Sequence, residues 1–224
     1  MLVDNKSKTN RNSSLLNQTK TINVDADFRG DLAAAIASAK DGSIVELGNS
    51  TYYTDGILID KDITIRGQKG SRIHGEGTSK SIFYLNSDAT GATIENVEIT
   101  DGNNGIFVQD AADVTLKNLE IYNIGIEETI RDGSNNTGVI LDRAEGFKLV
   151  NSKIHDIGKK AVGVSNTDGG LVSNLTIHDV NIDAQHAHSH DAGGIKLFNT
   201  NDIIIKGNYL ESINAIAIWN DITN

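Results

Sequence analysis

The chain of 224 residues holds 22 Gly, one Trp, one Met and neither Pro nor Cys, and its 30 acidic residues outnumber 20 Lys and Arg for a formal charge of −10. Without cysteine there is neither a disulfide framework nor a thiolate metal site, and Gly with no three-residue period and no Pro is not collagen. An acidic body argues against nucleic acid as the main partner, which needs a basic face, and no apolar run approaches the roughly 18 residues of a membrane span. In chain order, residues 1–20 are rich in Asn, Ser, Lys and Thr and lack the apolar segment of a signal peptide, so they read as a flexible polar tail. A single domain over 21–224 follows. Its first predicted element is a short helix at about 31–40, with Asp31 as N-cap and Leu32, Ala35, Ile36 and Ala39 on one face.

From Ser43 onward the pattern changes to short alternating segments such as Ile44-Val45-Glu46-Leu47, separated by Gly, Asn and Asp. A repeat then organises the chain. Asn96, Asn118, Asn151, Asn174 and, more loosely, Asn208 recur in similar surroundings at steps of 22, 33, 23 and 34 residues. Each unit carries three short strands, for example Gly138–Leu141, Phe147–Val150 and Lys153-Ile154. Three strands per 22–23 residues is one coil of a parallel β-helix, hydrogen-bonded to the coils above and below, with Asn stacking at a recurring tight turn. A leucine-rich repeat would need a Leu-x-x-Leu-x-Leu signature, which is absent, and a sandwich would not keep Asn in step.

The asparagine series, the three-strand coil and the stretch Asp31–Leu47 together resemble the right-handed parallel β-helices of the pectate lyase-like superfamily, over roughly residues 21–224. The resemblance implies an all-β, right-handed parallel β-helix whose helix at 31–40 covers the apolar end of the stack. Polysaccharide lyases, uronan epimerases, glycoside hydrolases and phage tailspikes share this fold, so it implies a polysaccharide partner and an extracellular or cell-surface location. It specifies activity weakly. Uronate β-elimination is the expected reaction. A non-catalytic glycan-binding, adhesive or structural module is the rival, and an epimerase or hydrolase on the same fold remains open; the epimerases' Asp-Pro-His-Glu motif is absent.

Both long insertions, 125–137 and 184–193, precede a first strand of the coil, flanking a short turn at 155–160, and so wall a groove on one edge. Alternation places Phe107, Ile140, Gly163, Lys196 and Ala217 in one outward column, and Gln109, Asp142, Ser165, Phe198 and Trp219 in the next. Lys196 is thereby a lone cation among small neighbours. Some of the resembled lyases use Lys or Arg on this strand as base, often with calcium held by Asp. The resemblance therefore makes Lys196 the base or charge neutraliser, with His190, Asp191 and Arg143 in support, His190 and Asp191 handling protons. Phe198 and Trp219 would stack on sugar rings, and Asp142, Lys159, Lys160 and Arg131 would bind substrate, although Arg131 shares its loop with Glu127 and Glu128. His186, His188 and His190 alternate and form, with Asp191, a candidate zinc site. First strands carry only Asp142 and Asp221 as acids, short of a pectate-lyase-type calcium cluster; calcium or zinc stays the candidate cofactor. His155-Asp156 and His178-Asp179 recur 23 residues apart and are expected to be turn residues. A chain ending at Trp219–Asn224, just after a first strand, is expected to have its open end covered by a further domain or subunit.

Overall fold

The structure is a computed structural model that describes residues 20–54, 56–77, 80–126, 136–182 and 191–221. Its strands form three all-parallel sheets of eight, seven and seven strands, each sheet joining equivalent strands of successive coils. One coil runs Thr137–Asp142 in the first sheet, Phe147–Val150 in the second and Lys153–Ile157 in the third. The chain then re-enters the first sheet at Lys160–Ser165, in register beneath Thr137–Asp142.

Alternation places one aliphatic per rung inside. On the third sheet Ile73, Ile99, Ile121, Ile154 and Ile177 pair in register and are all fully buried. Truncating such a stacked isoleucine to Ala is worth about 2–5 kcal/mol, because its cavity is walled by rigid rungs above and below. In the second sheet Glu95 lies between Arg66 of the coil before and Lys117 of the coil after, at 2.5 and 2.7 Å.

The corners explain the richness in Asn and Asp. Each coil turns through left-handed residues, and the repeating asparagine is one of three such columns: Asn96, Asn118, Asn151, Asn174 and Gly207 have φ between 52° and 66°. Asp101, Asn123, Asp156, Asp179 and Ser212 form the second, and Asp110, Arg143, Asn166 and Asn199 the third. Short Asx side chains tolerate this conformation at the least cost after Gly. Asn118 donates to Asn96 at 3.0 Å and Asn174 to Asn151 at 3.1 Å, two rungs of the expected amide ladder. Gly207, not Asn208, continues the column, since Ser173 pairs with Lys206; the last step is therefore 33 residues. Asn208 instead accepts from Leu175 N at 2.8 Å, as Ser152 accepts from Leu119 N at 3.0 Å.

At the N-terminal end the expected helix is Leu32–Ser38, capped by Asp31, whose side chain accepts from Ala34 N. A strand, Thr21–Asn23, and a further helix, Val24–Phe28, precede it. Tyr52, from the first coil, donates its hydroxyl to Asp25 at 2.8 Å and accepts from Gly48 N at 2.7 Å. At the other end Ile203, Ile205, Leu210 and Ile213 join the core but stay partly exposed, and Ile218 is 49% exposed.

Candidate functional site

Four coils of the first sheet meet in a cleft of ≈ 370 Å³ between Lys160, Lys196, Asp191, Asp221, Phe198 and Ile140, with Gly163 and Ser165 also lining it. Lys196 is on the strand Gly193–Phe198 and Lys160 opens the strand Lys160–Ser165 one rung away. Asp191, left-handed with φ 69°, ends the turn into Gly193–Phe198 and aims its carboxylate between the two ammonium groups. Its Oδ1 is 2.6 Å from Lys196 Nζ and its Oδ2 is 2.5 Å from Lys160 Nζ, with Lys159 Nζ at 4.0 Å. Asp221 approaches Lys196 at 3.5 Å. The lining sets two lysines against two aspartates, and Lys159 at its edge adds a further positive charge, a local concentration of cations in an acidic protein.

Burial shapes both partners. It pushes Lys160 below the ordinary lysine value, against the opposing pull of Asp191. It also raises the Asp191 carboxyl, but hydrogen bonds from Lys160 and Lys196 outweigh that and hold it below the usual range. Asp191 therefore carries no proton to donate at neutral pH. It clamps the two lysines, and His190, its expected partner in proton handling, lies outside the described residues. The Lys160 stem passes over Gly163, where a Cβ would meet its Cε in ordinary contact at 3.4 Å.

Lys196 is thus one of three converging lysines and not a lone cation. Trp219 is displaced from its expected column. Ile195 pairs with Ile218 and Lys196 with Trp219, so the tryptophan ring lies 3.9 Å from Lys196 Nζ, while Phe198 faces Asp221. Ala217 accordingly leaves the lysine column. Phe198 is 37% exposed at the cleft wall. Arg143 does not reach the cleft. It occupies a corner, where its Nε and Nη2 contact Asp110 at 2.5 and 3.1 Å and its Nη1 contacts Asp142 at 2.6 Å. Asp142 also accepts from Ser165 and Asn166, each at 2.9 Å, so both residues serve the corner network. His186, His188, His190 and Arg131 lie outside the described residues, and among the described residues no cluster of three His, Asp or Glu is arranged to hold a metal ion.

The His-Asp pairs lie on the third sheet, away from the lysines. Asp156 and Asp179 are the left-handed corner residues, 2.6 and 2.7 Å from Nδ1 of His155 and His178. His155 is stacked between Tyr122 and His178, with centroids 5.3 and 4.8 Å away. A larger hollow of ≈ 860 Å³ follows the asparagine turns between the second and third sheets. Two of its acids are already paired, Glu120 with Lys153 at 3.3 Å and Glu98 with Arg72 at 2.7 Å, so it follows the coil's shape more than it forms a reactive site.

Comparison with known proteins agrees with the architecture. The structure is similar to an alginate lyase from Paenibacillus sp. str. FPU-7, with a TM-score of 0.58 at 19% identity over 79% of this chain and 72% of that one. It is similar to XylC, solved in complex with xylose, with a TM-score of 0.58 at 16% identity over 79% of this chain and 33% of that one. In sequence, 86 residues are 30% identical to a cell surface glycoprotein of Methanothermus fervidus, covering 38% of this chain and 14% of that protein. Residues 69–221 match the family model described as the right handed beta helix region, and with that match over most of its length the chain belongs to the right-handed β-helix family.

Proposed function

We propose that the lysine cleft binds a uronate of an acidic polysaccharide and cleaves the chain by β-elimination, outside the cell or at its surface. The observation that carries this reading is Asp191: a carboxylate already bridges Lys160 and Lys196 at 2.6 Å or less, so their spacing suits a carboxylate ligand. The fold likeness to an alginate lyase and the sequence match to a cell surface glycoprotein support the reaction class and the location.

In this mechanism Lys196, with Lys159 behind it, neutralises the substrate carboxylate and the enolate that grows from it. Lys160, whose burial favours the free amine, takes the C5 proton. The electron pair of the C5–H bond passes into the enolate and then forms the C4–C5 double bond as the C4–O bond breaks. The departing glycan oxygen takes a proton from the Lys160 ammonium or from water. Phe198 and Trp219 flank the ring. A metal, if bound by His186, His188 and His190, would supply further neutralisation of the substrate's negative charge.

The assay is ultraviolet absorbance of the unsaturated uronate product over a panel of acidic polysaccharides. Lys160→Arg and Lys196→Ala should each lose about 100-fold or more in rate. If no polymer yields unsaturated product, elimination is wrong. A second reading, a non-catalytic glycan-binding module, is favoured by the surface glycoprotein match. Binding without product, weakened by Trp219→Ala, would select it.

A further inference from the structure

Beyond the cleft, the first sheet carries a continuous outward column in register: Leu58, Tyr84, Phe107, Ile140, Gly163, Lys196 and Trp219. Its far end is a second hollow of ≈ 450 Å³, lined by Leu58, Tyr84, Phe107 and Lys80 among others. The Tyr84 and Phe107 rings are 5.4 Å apart and inclined at 48°. Tyr84 is fixed by donating its hydroxyl to Gln109 at 2.8 Å, Leu58 is 50% exposed, and Lys80 is ion-paired with no carboxylate among the described residues. Beside this apolar column runs a polar one, Gln109, Asp142, Ser165, Phe198 and Asp221, interrupted only by Phe198.

We infer that Tyr84, Phe107, Leu58 and Lys80 form a remote subsite for the same acidic glycan, binding a uronate residue several units from the one held at Lys160 and Lys196. The inference rests on the reading of the lysine cleft as a uronate site. Three properties of the face carry it. Phe107 is three rungs from Lys196, about 14 Å at the usual strand spacing, and each rung is close to the length of one saccharide residue, so a chain lying along the stack keeps step with the column. An apolar floor beside a polar row matches a pyranose, whose ring faces are apolar and whose hydroxyls project from the edges. Lys80 supplies at the far end the positive charge that a uronate carboxylate requires. Between the two ends Ile140 is only 9% exposed and Gly163 has just the Lys160 stem over it, so the path from the remote hollow leads onto the lysine cleft.

The test is titration of oligouronates of increasing length, from the disaccharide upward, with the fluorescence of Trp219, the single tryptophan, as the signal. Affinity should rise about tenfold or more once the oligomer is long enough to reach Phe107. Phe107→Ala and Lys80→Ala should each remove most of that gain, lowering the affinity of long oligomers toward that of short ones. Lys80 is exposed, so its variant decides the matter even if Phe107→Ala fails to fold. Short oligomers that bind, with no gain on lengthening or a gain untouched by both variants, would overturn the remote subsite and leave the lysine cleft standing. Failure of every oligomer to bind the parent protein would overturn both.

Discussion

Trp219 lies directly in register with Lys196, and the lysine ammonium is 3.9 Å from the centroid of its ring. A cation over an indole face is worth about 0.5–2 kcal/mol depending on its exposure. Here it is one of three contacts, with Asp191 and Asp221, that fix Lys196 Nζ in the cleft. Trp219→Leu should free the ammonium and weaken uronate binding about 3- to 30-fold, by loss of both ring and lysine placement. Conversely, Lys196→Met should change the emission of the single tryptophan in the free protein. Identical spectra for the two proteins would mean the contact is not kept in solution.

Lys160 predicts a distinctive pH dependence. Burial lowers its pKa below the ordinary 10.5, so between the folded value and 10.5 the unfolded chain binds more protons than the folded one. Stability therefore gains a contribution that rises with pH across that window. Activity should rise over the same limb, because only the free amine removes a proton. Lys160→Arg keeps the cation but cannot deprotonate, so it should abolish the limb together with the rate. A rising limb retained in Lys160→Arg would move the base elsewhere. Asp191 titrates in the opposite sense: its lowered pKa gives stability that is present above the usual carboxylate range and lost as pH falls through the folded value. Asp191→Asn should flatten that acid limb in thermal melts.

The lysine convergence was only partly legible in the sequence, and the reason is geometric. Alternation separates inward from outward residues within one strand, and it found the buried face of the inner coils, while Ile218 at the last coil is 49% exposed. It does not fix which rung a strand joins. Ile216 and Ile218 are both suitable inward residues, so a slip of two preserves the pattern while moving Trp219 by one column. The same rule sends Lys160 inward with Val162 and Val164. As the first residue of its strand it is at the coil corner, and its ammonium emerges into the cleft. Residue identity misled once more at Asn208, where Gly207 had taken over the left-handed corner. The contacts of Asp191 join two neighbouring strands of the first sheet through space, Lys160–Ser165 and Gly193–Phe198, which no periodicity encodes.

Tyr52 ties the N-terminal helices to the first coil, and its removal should be felt in stability alone. Tyr52→Phe leaves the buried Gly48 N–H without its 2.7 Å acceptor and Asp25 with only the longer 3.4 Å bond from Ser50. An unsatisfied buried donor costs about 1–3 kcal/mol, and each kcal/mol lowers the melting temperature of a chain this size by about 2–4 °C. Burial, reinforced by Asp25, pushes the phenol up to about 12 from 10.0. The raised value makes its contribution complete below pH 10.0 and lost as pH rises through about 12. An alkaline melt of Tyr52→Phe should therefore approach that of the parent above that range.

Asn118 separates two explanations of the asparagine column. Its backbone is left-handed, with φ 54°, and its exposed side chain donates to Asn96 at 3.0 Å. If backbone conformation is the main demand, Asn118→Ala should cost about 1–2 kcal/mol, because a Cβ is disfavoured there without a compensating local hydrogen bond. Asn118→Gly should cost less, since Gly adopts positive φ freely and forfeits mainly chain entropy. If the amide ladder dominates, the two variants should be equally unstable, each having lost the same bond. Gly207 already holds the equivalent corner of the last coil with φ 66° and no side chain at all. The expected order in denaturant melts is therefore parent, Asn118→Gly, Asn118→Ala, with the larger step between the two variants. A larger step between the parent and Asn118→Gly would instead make the side-chain bond to Asn96 the reason for asparagine at this position.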